Sequence, residues 1–130
     1  MVLSTDLTML VLACCLVFIQ IGLYSFFAIR QWGVAYAAGP RDEGLELTGV
    51  PARLKRAYVN MLETLPIFAI GVLVVHVTDK ADETTALASQ VYLAARIAYV
   101  PAYGFGFRGR FVIWGVATAA ILVILFEALN

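Results

Sequence analysis

An uncharged run from Leu7 to Ile29 constrains this chain more than any other feature. Its 23 residues include no Asp, Glu, Lys or Arg. A helix needs about 20 apolar residues to cross the hydrocarbon of a bilayer, so this run is long enough. It is also too long for the apolar core of a secretory leader, and no Lys or Arg precedes it. Three more apolar stretches follow, at 64–78, 86–107 and 111–126. They are continuous rather than alternating, which disfavours a β-barrel. The first and last lack the polar stripe of a helix in a soluble bundle.

Composition narrows the choice further. Of 130 residues, 62% are hydrophobic and 14% charged, where a soluble domain has about 25% charged. Nine basic residues balance nine acidic ones, which excludes a basic nucleic-acid binder. The chain is too short for a TIM barrel or a two-half dinucleotide fold. The expected fold is all-α: an integral membrane four-helix bundle with up-down connectivity. It forms one domain over 1–130, with spans near 5–30, 52–77, 85–105 and 110–129. Arg30, Arg41, Arg53, Lys55 and Arg56 fall between the first two spans, and Arg108 and Arg110 between the last two. The positive-inside rule puts these basic connections in the cytoplasm and both termini on the other side.

Local signals divide the chain. Pro51 suits the first turn of the second span, and Pro66 should kink it. Asp82 and Thr84 are both candidate caps for the third. Trp32 and Tyr36 read as interfacial anchors, and Cys14 and Cys15 as small packing residues. The glycines at 104, 106 and 109 spell G-x-G-x-x-G, but no strand precedes them, so they read as a turn between spans. His76 has no companion ligands, so no metal site is expected.

The polar residues inside the spans are more informative. Arg56, Asn60 and Glu63 are spaced by four and three, which places them on one helical face. Arg96, Tyr99 and Tyr103 follow the same rule, three then four. An arginine inside a span needs a partner or a water-filled cavity. Arg96 can pair with Glu63, or both can surround a polar ligand. Spacing alone leaves open whether the cluster joins two helices or forms a site. Arg110, where the last span begins, reads either as an ordinary basic loop residue or as a third part of that site.

Two stretches carry a resemblance. The segment from Arg56 through Asn60 and Glu63 to Pro66 and Phe68 is similar to the helix-two motif of the membrane-associated proteins in eicosanoid and glutathione metabolism. The segment from Tyr92 to Tyr103, with Arg96, Tyr99 and Pro101, is similar to that family's helix-three motif. The resemblance covers nearly the whole chain and looks closest in loop style to bacterial members. It implies a homotrimer in a bacterial inner membrane, binding glutathione between subunits near the cytoplasmic face. By position it assigns Arg56, Asn60, Glu63, Arg96, Tyr99 and Tyr103 to glutathione. It assigns Arg110, and Arg30 near the end of the first span, to catalysis. The implied function is a transferase or peroxidase acting on a hydrophobic electrophile dissolved in membrane lipid, with Tyr103, Phe107 and Phe111 lining the acceptor site. Phe111 replaces a serine that follows the catalytic arginine in the prostaglandin synthase. That departure points to the alternative, a non-catalytic member that binds glutathione, another thiol or lipid.

Overall fold

The computed structural model describes residues 2–130, so residue 1 of the expected domain lies outside the described residues. The elements are α1 (Thr5–Trp32), α2 (Val34–Ala38), α3 (Gly49–Val77), α4 (Glu83–Gly104) and α5 (Arg110–Leu129).

Each boundary has a local cause. The Ser4 hydroxyl accepts from the Leu7 amide at 3.4 Å and caps α1. Gly33, at φ 86°, ends it in a conformation that a Cβ would strain. Pro51 sits in the first turn of α3, where its missing N–H costs nothing. The helix continues through Pro66 without ending. Of the two candidate caps for α4, Asp82 does the work. Its carboxylate accepts from the Thr85 amide at 2.9 Å, and Thr85 Oγ1 accepts from the Asp82 amide at 2.9 Å. The glycine string forms the turn between α4 and α5: Gly104 closes α4, Gly106 has φ 72°, and Gly109 precedes α5.

The helices α3 and α4 form the middle of the molecule, and α1 and α5 flank them without touching each other. Met61, Phe68, Val72 and Val75 of α3, Tyr92 of α4 and Ile124 of α5 are completely buried. Phe68 and Tyr92 stack with ring centroids 4.0 Å apart. The Tyr92 hydroxyl is satisfied by Thr64 Oγ1 at 3.1 Å. Gly71 lets α5 close on α3, since a Cβ there would stand 3.0 Å from Ile124 Cγ2.

The outside is as apolar as the inside. Phe18, Ile19, Ile70, Leu122 and Phe126 are all exposed, a surface that only lipid or another apolar face can cover. Cys14 and Cys15 belong to this exposed face rather than to the packed interior. The helices α1, α3 and α5 are long and apolar enough to cross a membrane. At 22 residues α4 is shorter than α1 and α3, and it buries Thr85, Ser89 and Arg96, which lower its apolarity. The chain is therefore an all-helical, multi-spanning integral membrane protein.

The connection between α1 and α3 is folded against itself. Trp32 Nε1 donates to the Leu45 carbonyl at 3.1 Å, and the Tyr36 hydroxyl accepts from the Leu45 amide at 2.7 Å. Gln31 accepts from the Thr48 amide and donates to the Thr48 carbonyl. The guanidinium of Arg41 lies 5.0 Å from the Trp32 ring centroid. Trp32 and Tyr36, expected as interfacial anchors, here pin the loop.

Candidate functional site

The start of α3, the end of α4 and the start of α5 meet at the basic end of the molecule. Helical spacing puts Arg56, Asn60 and Glu63 on one face of α3 and Tyr99 and Tyr103 on one face of α4. The glycine turn brings Arg110 back beside them. Together these six line a cavity of about 380 Å³, with Lys55 and Val59 completing its wall. Six of the eight expected site residues thus converge.

Tyr103 is the hub. Arg56 Nε donates to its hydroxyl at 3.2 Å. The Arg56 guanidinium lies 5.8 Å from the Tyr103 ring centroid and that of Arg110 lies 4.3 Å from it. Tyr99 meets Tyr103 edge to face, with centroids 5.6 Å apart. Two like charges drawn to one ring repel each other, and an anion placed between them removes that cost. Lys55, Arg56 and Arg110 face the cavity against the single carboxylate of Glu63. The cavity wall therefore carries an excess of positive charge, with one carboxylate among its cations.

Arg96 is not where the sequence suggests. It does not line the cavity. It is 1% exposed and stands one turn deeper, behind the wall. Its Nη1 donates to Asn60 Oδ1 at 2.9 Å, not to Glu63, and its guanidinium lies 4.7 Å from the Tyr99 ring centroid. Glu63 is left facing the cavity. The expected Arg96–Glu63 pair gives way to an Arg96–Asn60 pair, because Asn60 lies one turn nearer the buried guanidinium. Arg96 thus holds two wall residues, one by a hydrogen bond and one by its ring.

Arg30 is the second residue out of place. The last turn of α1 turns Ala28 inward, 2% exposed. Two residues further on, Arg30 points to the opposite side of the helix. It lies 5.6 Å from the Phe26 ring centroid and does not line the cavity that holds Arg56 and Arg110.

A second cavity of about 360 Å³ adjoins the first. Asn60, Tyr99 and Arg110 line both, and Arg108, Phe111 and Trp114 line the second alone. Phe111 and Trp114 are exposed on the outer face of α5. Of the aromatics expected around an acceptor, only Phe111 is there. Tyr103 belongs to the polar cavity, and Phe107 folds back over Gly109, where a Cβ would stand 2.6 Å from its ring.

Lys55, Val59, Arg108 and Trp114 are the lining residues that sequence reasoning missed. Lys55 reads as one more basic loop residue, and Trp114 as one more apolar residue in a span. Only the packing of the helices brings them to the cavities.

No curated protein and no solved structure matches the chain. The MAPEG family model matches it over residues 5–130. A match that takes in all four long helices and the whole basic end shows that the chain belongs to the MAPEG family.

Proposed function

We propose that the protein is a membrane-embedded, glutathione-dependent transferase or peroxidase acting on hydrophobic electrophiles. One observation carries the reading: Arg110 stands in the wall shared by a cationic polar cavity and a second cavity lined by the exposed aromatics Phe111 and Trp114. Bound glutathione would supply a thiol nucleophile at that wall.

The residues present fit this tripeptide. Arg56 and Lys55 offer donors for its carboxylates, and the guanidinium does so with a rigid fork. Glu63 receives its ammonium. Asn60 offers both a donor and an acceptor to a peptide group, and Tyr99 and Tyr103 supply hydroxyls and flat walls. Arg110 favours negative charge on sulfur and so raises the fraction of nucleophile at neutral pH. Phe111 and Trp114 would hold the apolar part of an acceptor entering from lipid. With α4 as the fourth span, three copies would form a homotrimer whose neighbours close the open mouth of the cavity. Arg30 lines neither cavity, so from its exposed position it would act on the site only at long range, through water. The bacterial inner membrane, with the basic end in the cytoplasm, is the setting that fits the charge pattern.

Calorimetric titration of the detergent-solubilised protein with glutathione tests binding, and conjugation of a small aromatic electrophile tests turnover. Saturable binding with conjugation is the expected result. No binding at millimolar glutathione overturns the reading. Binding without turnover replaces it with a non-catalytic family member, the reading that Phe111 favours in place of serine.

A further inference from the structure

Two buried polar atoms among the described residues lack any partner: Gln20 Oε1 and Arg96 Nε–H. One is an acceptor and the other a donor. Their side chains are 3% and 1% exposed, so neither is satisfied by bulk solvent. Leaving such a group unpaired costs about 1–3 kcal/mol, more for a charged one, and native interiors rarely tolerate it.

Both side chains are anchored to neighbouring residues of α3. Gln20, on α1, donates through Nε2 to Met61 Sδ at 2.9 Å. Arg96, on α4, donates through Nη1 to Asn60 Oδ1 at 2.9 Å. Asn60 and Met61 are consecutive residues of α3, about 1.5 Å apart along its axis. The helices α1 and α4 also pack directly against each other. Each side chain thus uses one end on α3 and keeps the other end, of opposite polarity, in the interior. The sulfur accepts only, so the Gln20 amide cannot be turned round without losing its bond.

We infer that a buried water bridges Gln20 Oε1 and Arg96 Nε, which makes Gln20 a positioning residue for the cavity wall. Such waters typically take two to four polar partners in otherwise dry interiors. The bridge completes a strut across three helices: Gln20, water, Arg96, Asn60. Its last member faces the ligand cavity. Fixing the Arg96 plane fixes Asn60 Oδ1 and leaves the Asn60 amide nitrogen pointed for a ligand. The functional consequence rests on the glutathione reading above, but the water does not.

The test has a structural arm and a binding arm. A ligand-free structure at a resolution that shows ordered water should hold density within hydrogen-bond distance of both atoms. Empty space there, or either atom paired with protein, overturns the inference. In solution the Arg96 Nε–H should exchange slowly with solvent in the wild type and faster in Gln20→Leu. Equal exchange in the two overturns it as well. For binding, Gln20→Leu should weaken glutathione affinity about tenfold, the worth of one hydrogen bond to a charged group. Gln20→Glu trades the donation to Met61 for a charge attracted to the guanidinium, keeps an acceptor for the water, and should lose less affinity than Gln20→Leu. If both variants lose affinity alike, or neither does, the positioning role is wrong even where the water is seen. A wild type that does not bind glutathione removes the proposed function and leaves the structural arm standing.

Discussion

The two ends of the molecule bury polar groups in opposite ways. At the end where α1 begins, Asp6 is 2% exposed, and its carboxylate accepts from Thr85 Oγ1 at 3.3 Å. Thr85 also closes the capping box with Asp82, and Ser89 Oγ donates to the Thr85 carbonyl at 2.7 Å. Lys80 Nζ donates to the Ala128 carbonyl at 2.9 Å and so covers the C-terminal end of α5. Among the described residues, each buried side-chain polar group at this end has a protein partner within hydrogen-bond distance. At the basic end, three cations face an open cavity with one carboxylate between them. The first arrangement stitches α1 to α4. The second leaves its charges facing open space. Polarity inside a membrane protein marks a site only where the protein has declined to neutralise it.

That contrast breaks first at Arg110. Arg110→Ala should lower conjugation by about a hundredfold, the usual loss when one group that stabilises a developing anion is removed. Glutathione affinity should fall much less, because the other ligands remain. Stopped-flow absorbance of the bound thiolate, beside steady-state turnover, separates the two. Unchanged conjugation would remove Arg110 from the chemistry. Arg56→Ala should act the other way round. Affinity for glutathione should weaken by about tenfold or more, the worth of a charge-assisted bond. Turnover at saturation should change little, and calorimetry with saturation kinetics reads both.

Asp6→Ala probes the opposite end and should not move either quantity. It should lower stability by about 1–2 kcal/mol, because Thr85 Oγ1 loses an acceptor but keeps the Asp82 carbonyl at 3.0 Å. Thermal unfolding in detergent measures the loss. A drop in glutathione affinity without a drop in stability would show that the two ends are coupled, and the comparison would fail.

The same contrast explains what could be read from residue order. Helical spacing made Arg56, Asn60, Glu63, Tyr99 and Tyr103 legible, because residues three and four apart share a face in any helix. It did not reveal that Arg96, on the same face as Tyr99, is covered by α3. Spacing sets the direction of a side chain around its own axis and not the depth at which a neighbour covers it. Gln20 was silent for a related reason: its partner lies 41 residues away on another helix. An uncharged amide in an apolar run leaves no periodic mark. Trp32 and Tyr36 carried the composition of membrane anchors, but their polar atoms found nearer partners in Leu45. Asp82 and Thr84 were equivalent as caps until Thr85 returned the bond to Asp82.

Arg30 is the smallest and most diagnostic test. It is exposed on the outer side of the last turn of α1 and lines neither cavity. An exposed, screened charge acts weakly, so Arg30→Ala should lower turnover by at most about fivefold and leave stability unchanged. Raising the salt concentration should shrink even that difference, since the charge acts through water. A loss of a hundredfold or more, insensitive to salt, would mean that a neighbouring copy carries the guanidinium into a dry cavity. The basic end would then be a site that one chain only half builds. No loss at all would leave Arg30 as a basic residue at a helix end, where a positive charge complements the dipole of α1.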